Sequence, residues 1–445
     1  MYLCCHNEPK DDFMSNSFYN TFSVKNFRSY GERGVQFVMA PITILTGCNS
    51  SGKSSLVKAQ LLLGEVLKQI RKQGSLNGVE LNVADKELKM GRFDKVVHNQ
   101  LKDGIIEMRY TVYSDQVGEV LEVAMWFKEK PNDLINNGYL CKVAIIREDG
   151  SVLYARDGLL PLRHDDGEAD LQELDAVVKD ALNPPFLKHV KYVDSASVSV
   201  CRLYTADDGD DLGRILRSFL DGNRQHVVGA ADAVAEQMLA DQAYVPSTFL
   251  NKWIHEFGVG DAIRIKGTEE GLGIMVFLEK DGELRLLADE GYGITQLFAL
   301  LLQIEVSILK AGRRRTVDGR GEERLEYEPS FIYVEEPENH LHPKFQSLLA
   351  DLFVEAFVHY NIQLVVETHS EYMIRKMQVL VAAKEVDLGA DDVSVNYIEN
   401  DADGVAVNRR IVISDDGGLV TPFGSGFFDE ADGLSMNLLR IKAKR

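Results

Sequence analysis

Four groups of residues have the types and spacing to handle a phosphate. The first lies in "LTGCNSSGKSSL" (Leu45–Leu56), where Gly47, Gly52, Lys53 and Ser54 meet the pattern G-x-x-x-x-G-K-[ST]. In such a loop backbone N–H groups cradle phosphate oxygens, the lysine reaches the terminal phosphates and the hydroxyl can meet magnesium. Four fixed positions arise by chance in roughly one or two per cent of chains this long, so flanking structure must decide. The second group is "FIYVEEPENHLHP" (Phe331–Pro343), where an apolar run ends in Glu335 and Glu336. A carboxylate at a strand end beside a phosphate loop can hold magnesium, often through water, and its neighbour can orient or deprotonate an attacking water. The plain alternative is a strand simply reaching solvent. The third is "NIQLVVETHSEYMIRKM" (Asn361–Met377), whose apolar run Ile362–Val366 ends in Glu367, Thr368, His369 and Ser370. A lone histidine is usually structural; one that ends a parallel strand stands where ligands collect, and there it can sense a γ-phosphate. The fourth is "DEGYGITQL" (Asp289–Leu297), which puts Gly291, Gly293, Thr295 and Gln296 at the start of a long helix. Glycines at a helix N-terminus make an anion site. A second anion site in a chain that already has a phosphate loop most economically grips the γ-phosphate held by another copy, so two nucleotides would be sandwiched between two heads.

The elements that must position these groups are legible beside them. "ITILT" (Ile42–Thr46) is nearly continuous in apolar character, as expected of a strand buried on both faces, and runs straight into the glycine loop. After the loop, Leu56, Leu62, Leu63, Val66, Leu67 and Ile70 recur at helical steps. "TFSVKNF" and "VQFVM" read as earlier strands. From about Gly104 to Ala155, "GIIEMRYTVY", "GEVLEVAMWF", "YLCKVAIIR" and "SVLYAR" alternate between Gly, Asp and Asn turns and predict an antiparallel meander. An acidic stretch and a helix-rich region follow, to about Gly258. "DDGDD" (Asp207–Asp211) reads as a solvated acidic loop, because no later ligand completes a calcium loop. "GIMVFLEKDGELRLLADEG" predicts a hairpin and "GITQLFALLLQIEVSILKAG" an apolar helix. "RRRTVDGRGEERLEYEP" reads as a polar surface loop. The domain organisation expected is a leader at 1–20, open to disorder; an N-terminal lobe with the phosphate loop at 21–103; an antiparallel β subdomain at 104–160; a helical insert at 161–272; and a C-terminal lobe at 273–445.

Composition narrows the function classes. The 445 residues are 45% hydrophobic and 27% charged, ordinary for a soluble protein with two or three domains' worth of core. No run of 18 apolar residues occurs, so no membrane span is expected, and the N-terminus lacks the basic start and apolar core of a signal peptide. Five cysteines, Cys4, Cys5, Cys48, Cys141 and Cys201, show no metal-ligand spacing and read as reduced thiols of a cytoplasmic protein. The net charge of −20 lowers the expectation of nucleic-acid binding without excluding a local basic patch, and suits a basic partner protein.

The order of motifs carries a resemblance. "FSVKNFRSYGERGVQF…PITILTGCNSSGKSSL", "LKMGRFDKVV" (Leu88–Val97), "GYGITQ", "YVEEPENHLHP", "ETHSEYMI" and "PFGSGFFDE" (Pro422–Glu430) together resemble the AAA-type ATPases of the OLD/SMC-like branch of the ABC ATPase class. Nearest in outline are the single-head bacterial ATPases of antiphage defence systems such as Septu, PARIS and some retrons. The resemblance spans about Thr21 to Glu430, weakly over Asp103–Ala288. It implies an α/β, ABC-type ATPase head with a mixed or parallel phosphate-loop sheet, an antiparallel β subdomain and a helical insert. It implies ATP held by Gly47, Asn49, Ser50, Ser51, Gly52, Lys53, Ser54 and Ser55, with Lys53 neutralising β/γ-phosphate charge. Ser54 and Glu335 would hold Mg2+, Glu336 would act on the attacking water, and His369 would be the switch histidine. Gly291, Gly293, Thr295 and Gln296 would form a signature acting in trans, and Gln100 is the candidate glutamine-loop residue. Two departures are visible: many relatives in the wider class carry Asp where this chain has Glu335, and "KYVDSASVS" (Lys191–Ser199) lacks the arginine motif often found there.

The chain shows no long coiled coil, and "ENDADG" (Glu399–Gly404) imitates a nuclease Asp-x-Asp while reading as a hairpin turn. The expectation is an ATPase that forms a homodimer or higher homo-oligomer through an ATP sandwich and controls a separately encoded effector, a nuclease. The alternative is a RecF/SMC-like repair ATPase clamping DNA, which should lose duplex affinity steeply with salt. A nuclease in its own right is a third reading, and it lacks a carboxylate set outside the ATP site.

Overall fold

A computed structural model of the chain describes residues 21–443 except 85–87, 89, 99–103, 132, 134–135, 162–174, 185–189, 195–200, 206–210, 228–242, 245–247, 268–272, 318–322 and 425–427. The leader at 1–20, Gln100 and most of the "DDGDD" run lie outside the described residues.

In chain order the elements are β1 (Thr21–Lys25), β2 (Val35–Val38), β3 (Ile42–Gly47), α1 (Lys53–Gln73), β4 (Glu80–Leu81), α2 (Phe93–Val96), β5 (Ile106–Ser114), β6 (Glu119–Glu129), β7 (Gly138–Arg147) and β8 (Val152–Asp157). Then come α3 (Ala176–Ala181), β9 (Val190–Asp194), β10 (Tyr204–Thr205), α4 (Asp211–Val227), β11 (Ala243–Tyr244), α5 (Thr248–Glu256), β12 (Ala262–Gly267), β13 (Gly273–Lys280) and β14 (Glu283–Leu286). The chain continues with α6 (Tyr292–Lys310), β15 (Arg313–Val317), β16 (Glu323–Tyr327), β17 (Ser330–Glu335), α7 (Pro343–Tyr360), β18 (Ile362–Glu367), α8 (Glu371–Ala383), β19 (Val393–Asn400), β20 (Ala406–Ile411) and α9 (Asp429–Ala443).

These form two compact units, each assembled from separated stretches of chain. The first takes residues 1–40, 48–188 and 398–410. Its sheet runs β2-β1-β5-β6-β7-β4, with β8 against the far side of β7, and its pairings are antiparallel. Burial alternates residue by residue along β5, the pattern of a sheet with one covered face. The meander is therefore not a body apart from β1 and β2. Pairing of β1 with β5 joins residues some eighty positions apart, a partner choice that no local pattern states. α1 buries Leu56, Leu62, Leu63, Val66, Leu67 and Ile70, the stripe its spacing predicts, and ends at Gly74 in a left-handed cap.

The second unit takes 41–47, 189–397 and 411–445. Its central sheet runs β19-β3-β18-β17-β9. β3, β18, β17 and β9 are mutually parallel. All six residues of β3 and of β18 are buried, which is why both read as mostly apolar runs, with Thr43, Thr46 and Gln363 buried among the aliphatic residues. A second sheet has the order β10-β13-β12-β11 with β14 beside β13. The β13–β14 hairpin turns through Asp281 and Gly282, both with positive φ, as a type I′ turn requires. α6 lies in the core with Leu297, Phe298, Leu301, Leu302 and Ile304 against Ile42, Ile44, Ile332, Val334, Leu364 and Val366. It is long and apolar enough to cross a membrane, but most of it is buried inside this unit.

Two segments differ from the sequence reading. The segment read as a polar loop after α6 contains a two-stranded hairpin, β15–β16. Arg313 stacks over the Tyr327 ring at 4.7 Å and donates to its hydroxyl at 2.7 Å, so charged residues supply the cross-strand pairs that apolar ones usually make. The stretch 190–194, read as part of a helical insert, is strand β9, added to the parallel edge of β17.

Candidate functional site

The second unit aligns the carboxyl ends of its parallel strands. Leu45 of β3 is in register with Glu367 of β18, and Glu367 with Glu335 of β17. Backbone position 194 of β9 is in register with Glu335 on its other side. One sheet edge thus carries Gly47, where the glycine loop departs, together with Glu335, Glu336 and the chain leading to His369. Leu45 accepts from the Thr368 amide at 2.9 Å, and the Glu336 amide donates to the Glu367 carbonyl at 2.8 Å. The edge is therefore fixed by backbone bonds past the last ladder residues.

The turn after β17 is bent unusually. Glu336 has φ of 46° and His340 of 60°, the left-handed region that costs a non-glycine residue ~1–3 kcal/mol and that concentrates at functional sites. Asn339 donates to a Glu336 carboxylate oxygen at 2.6 Å and orients it. Glu338, which sequence reasoning passed over, is buried, and its Oε1 accepts from the His369 amide at 2.5 Å. Burial pushes the Glu338 carboxyl above the usual glutamate range; the His369 amide and the Thr368 hydroxyl pull it back, and the Glu336 charge adds to the rise. His369 itself is exposed. α8 begins just after it, capped by the Ser370 hydroxyl, which accepts from Met373 N–H at 3.2 Å. No local pattern marks Glu338, because its partner is 31 residues away.

α6 starts beside the same turn. A Cβ on Gly293 would stand 2.6 Å from the His340 carbonyl oxygen, so only glycine lets the helix approach that backbone. Thr295 and Gln296 are buried, whereas Gly291 and Tyr292 are exposed. No side chain caps this helix at Gly291. Of the four residues read as a signature, the structure puts Gly291 at the surface and keeps Gly293, Thr295 and Gln296 inside.

In the first unit, the loop from Cys48 leads into α1. Ser50 and Gly52 have φ of 60° and 110°, and Gly47 before them 133°. These left-handed turns wind the backbone around the point where α1 begins, with no side-chain cap at Gly52, and an uncapped helix start suits an anion. The Tyr30 hydroxyl, fully buried, donates to the Gly52 carbonyl at 2.8 Å and braces the loop from behind. A Cβ at Gly52 would come within 3.2 Å of Ser29 and the Tyr30 hydroxyl. Lys53 is buried; its ammonium donates to the Cys48 carbonyl at 2.7 Å, and Ser51 donates to the same oxygen at 2.8 Å. The lysine thus lies back along the loop whose phosphates it would meet. Ser54, in the first turn of α1, is half-buried.

The fold so built, with a parallel sheet whose strand ends carry the departure of a glycine loop and two carboxylates, is similar to that of a solved SMC head domain. The crystal structure titled "SmcHead bound to the C-winged helix domain of ScpA" is similar over 89% of this chain and 98% of its own, at 14% identity and a TM-score of 0.51. An Smc head domain with an extended coiled coil from Pyrococcus furiosus, bound to the C-terminal domain of ScpA, matches over 96% and 99% at 13% identity and a TM-score of 0.46. An SMC head domain from Thermotoga maritima matches over 88% and 98% at 15% identity and a TM-score of 0.39. Residues 42–375 match the family described as "AAA domain, putative AbiEii toxin, Type IV TA system", and the chain belongs to that family. Residues 388–438 match a family of unknown function, DUF3696. No curated protein matches the chain.

Proposed function

We propose that the chain binds ATP and hydrolyses it to ADP and phosphate, and that ATP joins two copies. The observation that supports this reading best is the register Leu45–Glu367–Glu335, which puts a pair of glutamates on the strand ends flanking the departure of the glycine loop. The loop amides from Gly47 to Ser55 receive the phosphates, and Lys53 exchanges its bond to Cys48 for one to a phosphate oxygen. Ser54 and Glu335 would hold magnesium through hydroxyl and carboxylate oxygens, and the ion would offset phosphate charge. Glu336, held by Asn339, accepts the proton of the water that attacks the γ-phosphorus, and ADP leaves with the bridging oxygen. His369, on the loop that Glu338 anchors, contacts the γ-phosphate and reports its loss. The uncapped start of α6 at Gly291 grips the γ-phosphate of the other copy.

The closed pair would then control a separately encoded effector, a nuclease by resemblance to antiphage ATPases; the acidic chain suits a basic partner. The likeness to an SMC head favours a second reading, a clamp on DNA. A duplex titration separates them: a clamp loses affinity steeply with salt, and the effector reading expects no duplex binding at physiological salt.

Glu336→Gln tests the core of the proposal. The amide keeps an oxygen for Asn339 but accepts no proton. ATP affinity should be unchanged while turnover falls ~10²–10⁴-fold, the usual worth of a general base. Wild-type turnover by this variant would show that another group handles the water.

A further inference from the structure

Helix α9 carries Leu434, Met436, Leu438, Leu439 and Ile441, each between 53% and 61% exposed. Leu434, Leu438 and Ile441 follow the i, i+4, i+7 spacing and form one apolar stripe along the helix. Met436 and Leu439 lie round the helix from it. Single exposed apolar residues need no explanation, but a full stripe on a helix marks an interaction surface. The two ends of the segment differ in charge. By sequence, Asp429, Glu430 and Asp432 fall among its first four residues, whereas Arg440 and Lys442 are in its last turn, in a chain whose net charge is −20.

We propose that α9 pairs with α9 of a second copy of this chain, antiparallel, stripe against stripe. Reversal sets the acidic first turn of each helix opposite the basic last turn of the other, and opposes the two helix dipoles; a parallel pair would put like charges together at both ends. The arrangement is two-fold symmetric, so one surface supplies both halves. It needs no nucleotide, and so stands apart from the ATP sandwich. One helix pair covers less than the ~1,200 Å² of a stable interface, so the pairing is weak and reversible alone.

The test is sedimentation velocity on the full chain, without nucleotide and with EDTA, from about 1 to 100 µM, a range that brackets a weak interface. A reversible monomer–dimer equilibrium is expected. Leu438→Asp should weaken it at least ~10-fold, the effect of burying a charge in an apolar seam, with an unchanged thermal transition. Orientation is read by disulfide trapping, the linked peptides being identified by mass spectrometry because Cys48 is also exposed. Mixed Leu434→Cys and Ile441→Cys chains should link to each other, and Leu438→Cys should link to itself. A monomer at every concentration, a dimer indifferent to Leu438→Asp, or self-linkage of Leu434→Cys overturns the proposal. So does recruitment of the protein to anionic phospholipid vesicles that Leu438→Asp abolishes, since the stripe would then serve a lipid surface.

Discussion

Lys53 has a task in the molecule before any nucleotide arrives, because its ammonium holds the Cys48 carbonyl inside the loop. Lys53→Ala therefore removes a brace from the loop as well as a charge from the phosphates. We expect ATP affinity to fall by about 1.5–3 kcal/mol, the worth of a charged hydrogen bond, or roughly 10- to 150-fold in Kd. Calorimetry checks it, and unchanged affinity would count against the phosphate-loop assignment. Glu338 is a different case. Its carboxyl is raised by burial, so the folded chain binds this proton more tightly than the unfolded chain. That contribution to stability is fully present below the ordinary glutamate pKa and is lost as pH rises through the raised value. Glu338→Gln keeps an oxygen for the His369 amide and cannot ionise. Relative to wild type, the variant should therefore gain stability as pH rises from the ordinary glutamate range towards neutrality, and lose that advantage on acidification. Urea unfolding at several pH values reads the difference; a gap independent of pH would show that Glu338 titrates normally.

Among the elements, those that a single segment defines were legible. β3, β17 and β18 are short, mostly apolar runs closed by Gly47, by Glu335 and by Glu367, and burial on both faces leaves each with no charged residue before its end. The β13–β14 hairpin was written in its Asp281–Gly282 turn, and the turn at Asp401 between β19 and β20 likewise, where Asp401 accepts from the amides of Asp403 and Val405. What depends on a distant partner was not legible. β9 is five residues long and takes its identity from the edge of β17; the β15–β16 hairpin is polar enough to pass for a loop; Glu338 and Tyr30 matter through bonds to His369 and Gly52. Gly293 shows the same limit. Its spacing suggests a glycine kept open for a neighbour's phosphate, yet the His340 carbonyl already fills the place of a side chain. Gly293→Ala should thus destabilise the chain by about 1–3 kcal/mol, the usual cost of overpacking, whatever it does to turnover. An unchanged unfolding midpoint would mean that the start of α6 shifts freely away from the turn.

In the whole molecule, the question is whether two copies complete each other's sites. Gly293 is a poor probe of this, because any side chain there strains its own fold. Gly291 is a better one: its φ is −64°, its added Cβ would meet nothing within 4 Å, and it stands uncapped at the exposed start of α6. Asp at that position suits a helix N-cap and should leave folding intact, while its charge would repel a γ-phosphate brought by another copy. Gly291→Asp should therefore bind ATP through its own loop and fail to hydrolyse it. Mixed with Lys53→Ala, it forms pairs in which one site combines both lesions and the other neither. Random pairing of equal amounts gives half mixed dimers with one good site each, so the mixture should recover roughly a quarter of wild-type turnover. If the mixture stays as inactive as its components while mixed dimers are shown to form, the start of α6 does not act on the neighbour's nucleotide. If Gly291→Asp alone hydrolyses ATP at the wild-type rate, that helix start is not part of the site in either copy. Recovery would establish that the loop of one chain and the α6 start of another meet across a single nucleotide, which neither head can do alone.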